Sequence, residues 1–170
     1  MNAKIAAIAV VAALTGCQGA DPTSPDQDLS LHRGRGDRDW SSRCVTTFVF
    51  TGPASLHITG MCRFEDLGSA ALSADQTLAA NPDGTQTIEN VSTYQFRHGT
   101  LTTKFVGQGQ FTSASHIGFS GTETVQGGTG RFSRARGAGH LEGSADVTGP
   151  TGGEGLYRTT GRLDRVRGQR

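Results

Sequence analysis

From residue 44 onward, apolar and polar side chains take turns along short runs that glycine-rich stretches interrupt. A period of two marks a strand with one buried and one wet face. No segment sustains a helical period. Eight strands are predicted, over 44–50, 55–64, 69–79, 85–96, 100–111, 115–126, 132–147 and 155–164, with Asn81-Pro82-Asp83-Gly84 and His98-Gly99 as turns between them. Near-regular spacing and short connections suggest sequential antiparallel pairing. Closure into an eight-stranded antiparallel β-barrel would leave no exposed edge; a two-sheet sandwich is the rival.

The opening residues follow a different rule. Met1-Asn2-Ala3-Lys4 carries one positive charge, Ile5 to Leu14 is an unbroken apolar run, and Leu14-Thr15-Gly16-Cys17 follows. The run is too short to span a bilayer and reads as a signal peptide. The Leu14–Cys17 ending resembles the lipobox of bacterial lipoproteins. That resemblance implies a diacylglyceryl group on the Cys17 sulfur, cleavage after Gly16 and acylation of the new amino terminus. An ordinary secretory signal is the alternative. Lipid on Cys17 makes the membrane an expected partner, held by the acyl chains. The expected location is the bacterial cell envelope; in a Gram-negative cell, Gln18 in place of an aspartate points to the outer membrane. Residues 17–40 hold Pro22, Pro25 and several Asp, Ser and Gly, and read as a lipidated flexible tether. The domain division is therefore 1–16 signal peptide, 17–40 tether, 41–170 barrel.

Once Cys17 is assigned to lipid, Cys44 and Cys62 remain, an even pair that an oxidising compartment would bond. Geometry gives an independent check. If the first two strands form a hairpin with Phe50 opposite Leu56, then Phe48 faces Ile58, Thr46 faces Gly60, and Cys44 faces Cys62. The register that matches apolar to apolar also brings the sulfurs together.

Charge narrows the function classes. Without Lys4 the chain carries 15 basic and 15 acidic side chains, and such neutrality argues against nucleic acid as a partner. The histidines at 32, 57, 98, 116 and 140 show no metal-ligand spacing, so neither a metal nor a cofactor is expected. No nucleophile elbow, Ser-His-Asp or Cys-His arrangement stands out. The glycines at 127, 128 and 130 lack the Lys-Ser/Thr and the helix that a phosphate loop needs.

The stretch Val125-Gln126-Gly127-Gly128-Thr129-Gly130-Arg131-Phe132-Ser133-Arg134-Ala135-Arg136-Gly137 resembles a segment of dirigent proteins and of bacterial proteins grouped with the allene oxide cyclase barrel. The resemblance covers about fifteen residues. It implies a calycin-like eight-stranded barrel, in agreement with the strand count. Dirigent proteins guide radical coupling and allene oxide cyclases fold a reactive epoxide inside the barrel, both through polar residues outside this segment. Arg136 is the one polar side chain in the motif that the resemblance makes a candidate, and alternation leaves its facing open.

Candidate chemistry comes from alternation. Ile117, Phe119, Glu123 and Val125 share a face with Gly121. If the apolar three point inward, Glu123 is an interior carboxylate, a general acid or ligand anchor with a raised pKa. A bulge near Gly118 or Gly121 would instead turn it to water. Ile88, Tyr94 and Phe96 share a face with Asn90 and Ser92. Tyr94, Asn90, Phe119 and Glu123 are thus the candidate ligand-binding residues, and Glu123 and Arg136 the candidate catalytic ones. Three readings stand at this level. The barrel binds a small apolar or aromatic ligand or a partner protein without catalysis; it is a cyclase, isomerase or dirigent-like template; or it is a filled, structural surface protein.

Overall fold

A computed structural model describes residues 38–166 of the chain. Its strands are β1 (Arg38–Gly52), β2 (Ser55–Phe64), β3 (Gly68–Ala80), β4 (Gln86–Phe96), β5 (Gly99–Phe111), β6 (His116–Gly128), β7 (Arg136–Gly149) and β8 (Gly152–Asp164), with a 3-10 turn at Gly130–Phe132. Each strand pairs antiparallel with its sequence neighbours, and β1 pairs with β8 from Arg38↔Leu163 to Val49↔Gly152. The sheet is a closed barrel, and the sandwich is excluded. Closure satisfies both sides of every strand and leaves no edge for another chain.

The first hairpin has the expected register, with Phe50↔Leu56, Phe48↔Ile58, Thr46↔Gly60 and Cys44↔Cys62. The two cysteines form a disulfide across a Cα separation of 4.1 Å. Three boundaries differ from expectation. β1 begins at Arg38, inside the stretch read as tether, because Trp40 is buried against Phe64 with ring centroids 5.6 Å apart. β7 begins at Arg136, because Gly130 (φ 56°) and the 3-10 turn swing Phe132 into the barrel end instead of continuing a strand. β8 begins at Gly152, three residues early, since Gly152 and Gly153 fit flat against Val49 and Phe48 of β1. Cys17 and the signal and tether up to residue 37 lie outside the described residues.

The two barrel ends are built differently. Hairpins β2–β3, β4–β5 and the β6–β7 connection share one end with Arg38 and Asp164. That end is plugged by rings: Trp40 stacks on Phe64, Phe64 lies 5.0 Å from Phe96, and Phe96 lies 4.9 Å from Phe132, which is fully buried. Arg131 covers the plug from outside, 4.7 Å over the Phe132 ring, and donates to the Leu67 carbonyl at 3.0 Å. The glycine-rich motif is therefore a lid on the barrel. Leu101, Val125 and Leu163 complete this apolar layer. The opposite end, with hairpins β1–β2, β3–β4, β5–β6 and β7–β8, is open.

Candidate functional site

Glu123 sits in the barrel interior, 1% exposed. The ladder between β5 and β6 runs unbroken from Phe111↔Ile117 to Thr103↔Val125. The single irregularity falls beyond it, between Thr102 and Thr103, where Gln126 is the extra residue. No bulge forms at Gly118 or Gly121. Gly121 lies against Gly107, where an added Cβ would come within 2.4 Å of the Gly107 Cα and 2.9 Å of the Phe105 ring. The missing side chains there let Phe105 fold across the barrel wall next to Glu123.

Three hydroxyls from three other strands converge on the carboxylate. Tyr94 and Thr103 each donate to Oε1 at 2.7 Å, and Thr159 donates to Oε2 at 2.8 Å. All three donors are fully buried. Burial pushes the Glu123 pKa up, and the three hydroxyl donors pull against it. The Tyr94 hydroxyl stands 3.3 Å from that of Tyr157, which is 3.9 Å from the Cys62 sulfur. Burial first, and the Glu123 charge second, hold both phenols well above their ordinary range. They remain protonated at any physiological pH. Each contributes one O–H and accepts through oxygen.

Beyond Tyr157, toward the open end, lies a cavity of about 90 Å³. Phe48, Leu56, Ile58, Leu78, Ile88, Phe105, Phe119 and Leu141 give its apolar wall, and Thr46, Gln76, Gln86, Asn90, Ser92 and Tyr157 its polar atoms. Among the described residues, no Asp, Glu, Lys, Arg or His lines it. The half-exposed Phe50 and Phe111 stand at the mouth. Within the wall Ser92 donates to Asn90 Oδ1 at 3.1 Å, and Asn90 Nδ2 donates to Gln76 Oε1 at 3.3 Å. The Gln86 Oε1 atom is buried with no donor among the described residues. A larger hollow of about 920 Å³ lies against the outer wall between Arg43, Ser120, Glu142 and Arg158, but it is shallow and open. Small-molecule sites enclose most of their ligand, which favours the interior cavity.

The four candidate ligand residues therefore divide. Asn90 and Phe119 line the cavity; Tyr94 and Glu123 form a saturated polar layer beneath it. Arg136 is apart from both. It is exposed, and its Nη1 donates to the Ala135 carbonyl at 2.8 Å near the plugged end. Alternation missed Thr103, Thr159 and Tyr157, because their partners lie on strands far away in sequence and a lone Thr carries no signal of its own.

One arrangement on the outside also escaped the sequence. His57 Nδ1 is 2.7 Å from Asp75 Oδ1, and His57 Nε2 is 3.5 Å from the Ser73 hydroxyl. The signal was the β2–β3 register, which opposes His57 to Asp75. Asp75 is largely exposed, and the surrounding wall is a continuous ladder with its amides committed, so no oxyanion donor is offered. His116 pairs similarly with Asp146 at 2.6 Å. Among the described residues no three His, Cys, Asp or Glu side chains gather to hold a metal.

No family model, curated protein or solved structure matches this chain.

Proposed function

We propose that the barrel is a non-catalytic binding protein that takes a small, neutral, mostly apolar molecule into its open end. The observation that carries this reading is the cavity wall: apolar with a few polar groups and, among the described residues, free of any charged side chain. A charged ligand would lose its hydration there with no counter-charge to replace it. Catalysis is the weaker reading because Glu123, the one buried carboxylate among the described residues, is absent from the wall and its oxygens are engaged by three hydroxyls. A general acid has to reach its substrate. At about 90 Å³ the cavity falls below the roughly 300 Å³ at which drug-sized sites begin, so the ligand is of single-ring size.

The reading extends to the envelope. The lipobox-like Leu14–Cys17 supports a lipid anchor, and the disulfide fits an oxidising compartment. Strand β1 begins at the plugged end, opposite the mouth. The calycin-like relationship suggested by residues 125–137 fits the closed eight-stranded barrel. Native mass spectrometry of protein from its own host tests the function: a co-purifying neutral small molecule is expected. Protein that stays empty, and gains no mass when offered single-ring compounds, would return the barrel to the purely structural reading.

A further inference from the structure

We infer that the cavity favours ligands that donate a hydrogen bond, because a fixed chain of hydroxyls from Glu123 turns the Tyr157 proton away from it and the Gln86 carbonyl oxygen on the same wall lacks a donor. This rests on the binding reading above. The chain starts at the carboxylate, whose Oε1 accepts from Tyr94 at 2.7 Å and from Thr103 at 2.7 Å. A phenol has a single proton to donate. With Glu123 ionised and that proton held on it, the Tyr94 oxygen meets Tyr157, 3.3 Å away, as an acceptor. Tyr157 accordingly donates to Tyr94. Its other neighbour within reach, the Cys62 sulfur at 3.9 Å, is in the disulfide and has no hydrogen to give.

Tyr157, one of the residues lining the cavity, therefore has no proton to offer it and can only accept through its oxygen. Elsewhere on the same wall, Gln86 Oε1 is a buried acceptor without a donor. Both unmet polar features ask for the same complement. Ser92 and Thr46 spend their protons on Asn90 and on the Gly155 carbonyl, and Asn90 donates one N–H to Gln76, so the donors left on the wall are amide N–H groups of Asn90, Gln76 and Gln86. The ligand class is a neutral single-ring or similarly compact apolar molecule with a hydroxyl or N–H.

Benzyl alcohol and anisole are isomers that separate the donor from shape and size, with toluene as a probe of the apolar wall. Isothermal titration of the intact barrel is expected to give benzyl alcohol about tenfold tighter binding than anisole, although anisole is the more apolar. Tyr94→Phe leaves the cavity wall untouched but frees the Tyr157 proton, so the ratio should collapse toward unity while toluene binds as before. Tyr157→Phe, which keeps the ring, should collapse it too. Should one variant fail to fold, the other carries the test. Equal affinities in the native protein, or a preference that persists in the variants, would overturn the donor rule and leave the binding reading standing. Failure of all three compounds, toluene included, would overturn both.

Discussion

Thr103→Val isolates one strut of the Glu123 site. Thr103 is fully buried and its hydroxyl donates to Oε1 at 2.7 Å. Valine keeps the branched shape and removes the donor. A hydrogen bond to a charged group contributes roughly 1.5–3 kcal/mol, so a loss of about 2 kcal/mol is expected at neutral pH. For a domain of this size that corresponds to a drop of about 8 °C in Tm. The loss depends on pH, and its direction follows from linkage. Burial raises the folded pKa of Glu123 above its ordinary 4.5, so between that value and the folded one the folded state holds a proton that the unfolded chain releases. Stability contributed by that proton is full below about 4.5 and is lost as pH rises through the folded value. Removing Thr103's hydroxyl lifts the folded value further, so the deficit against the native protein grows as pH rises through the folded value and should be larger in a buffer of about pH 8 than in one of about pH 4. In a Glu123→Gln background the cost of Thr103→Val should fall below about 1 kcal/mol, since the hydroxyl then meets a neutral amide. Urea unfolding followed by fluorescence of Trp40, the one tryptophan, measures all four proteins. A cost that is the same at both pH values and in both backgrounds would refute the reasoning.

The other predictions concern elements away from the carboxylate. Replacing Cys44 and Cys62 together by Ala opens a loop with a sequence separation of 18; the expected loss is about 3 kcal/mol, read as a lower urea midpoint. A double variant as stable as the native protein would deny the bond a structural role. Phe132→Ala removes the ring that plugs the barrel and should cost about 3–5 kcal/mol, measured in the same way. A cost under about 1 kcal/mol would mean that the lid motif packs against nothing. Arg136→Ala should change stability by no more than about 0.5 kcal/mol and leave ligand affinity unchanged, as calorimetry will report. A large loss of affinity would bring that side chain back into the site.

Local pattern carried the wall of the barrel and much of its facing. The run from Ile117 to Val125 put Glu123 on the face of its apolar neighbours but left that face's direction open, and the ladder parity that survives from Phe111↔Ile117 onward turns it inside. The disulfide register was legible because pairing Phe50 with Leu56 determines every partner down to Cys62. What was hidden is the long-range part. Thr159 reaches Glu123 across 36 residues and Tyr157 reaches Tyr94 across 63. Those contacts depend on shear around the closed barrel, which no local window contains. The start of β1 was misplaced for a related reason: the polar company of Trp40 reads as tether until Phe64 is known to lie beside it. The motif at residues 125–137 was recognisable as a tight, glycine-dependent connection, but that it carries Phe132 into the barrel end depends on the ring stack awaiting it there.

The proposed binding function requires an apolar hollow at the open end above a buried polar layer. Crystals of the barrel pressurised with xenon, which enters dry apolar cavities, test this most directly. A xenon peak is expected between Ile88, Phe105, Phe119 and Leu141, with Glu123 still ringed by Tyr94, Thr103 and Thr159 beneath it. Side chains filling that space, with no xenon bound inside the strands, would contradict the account.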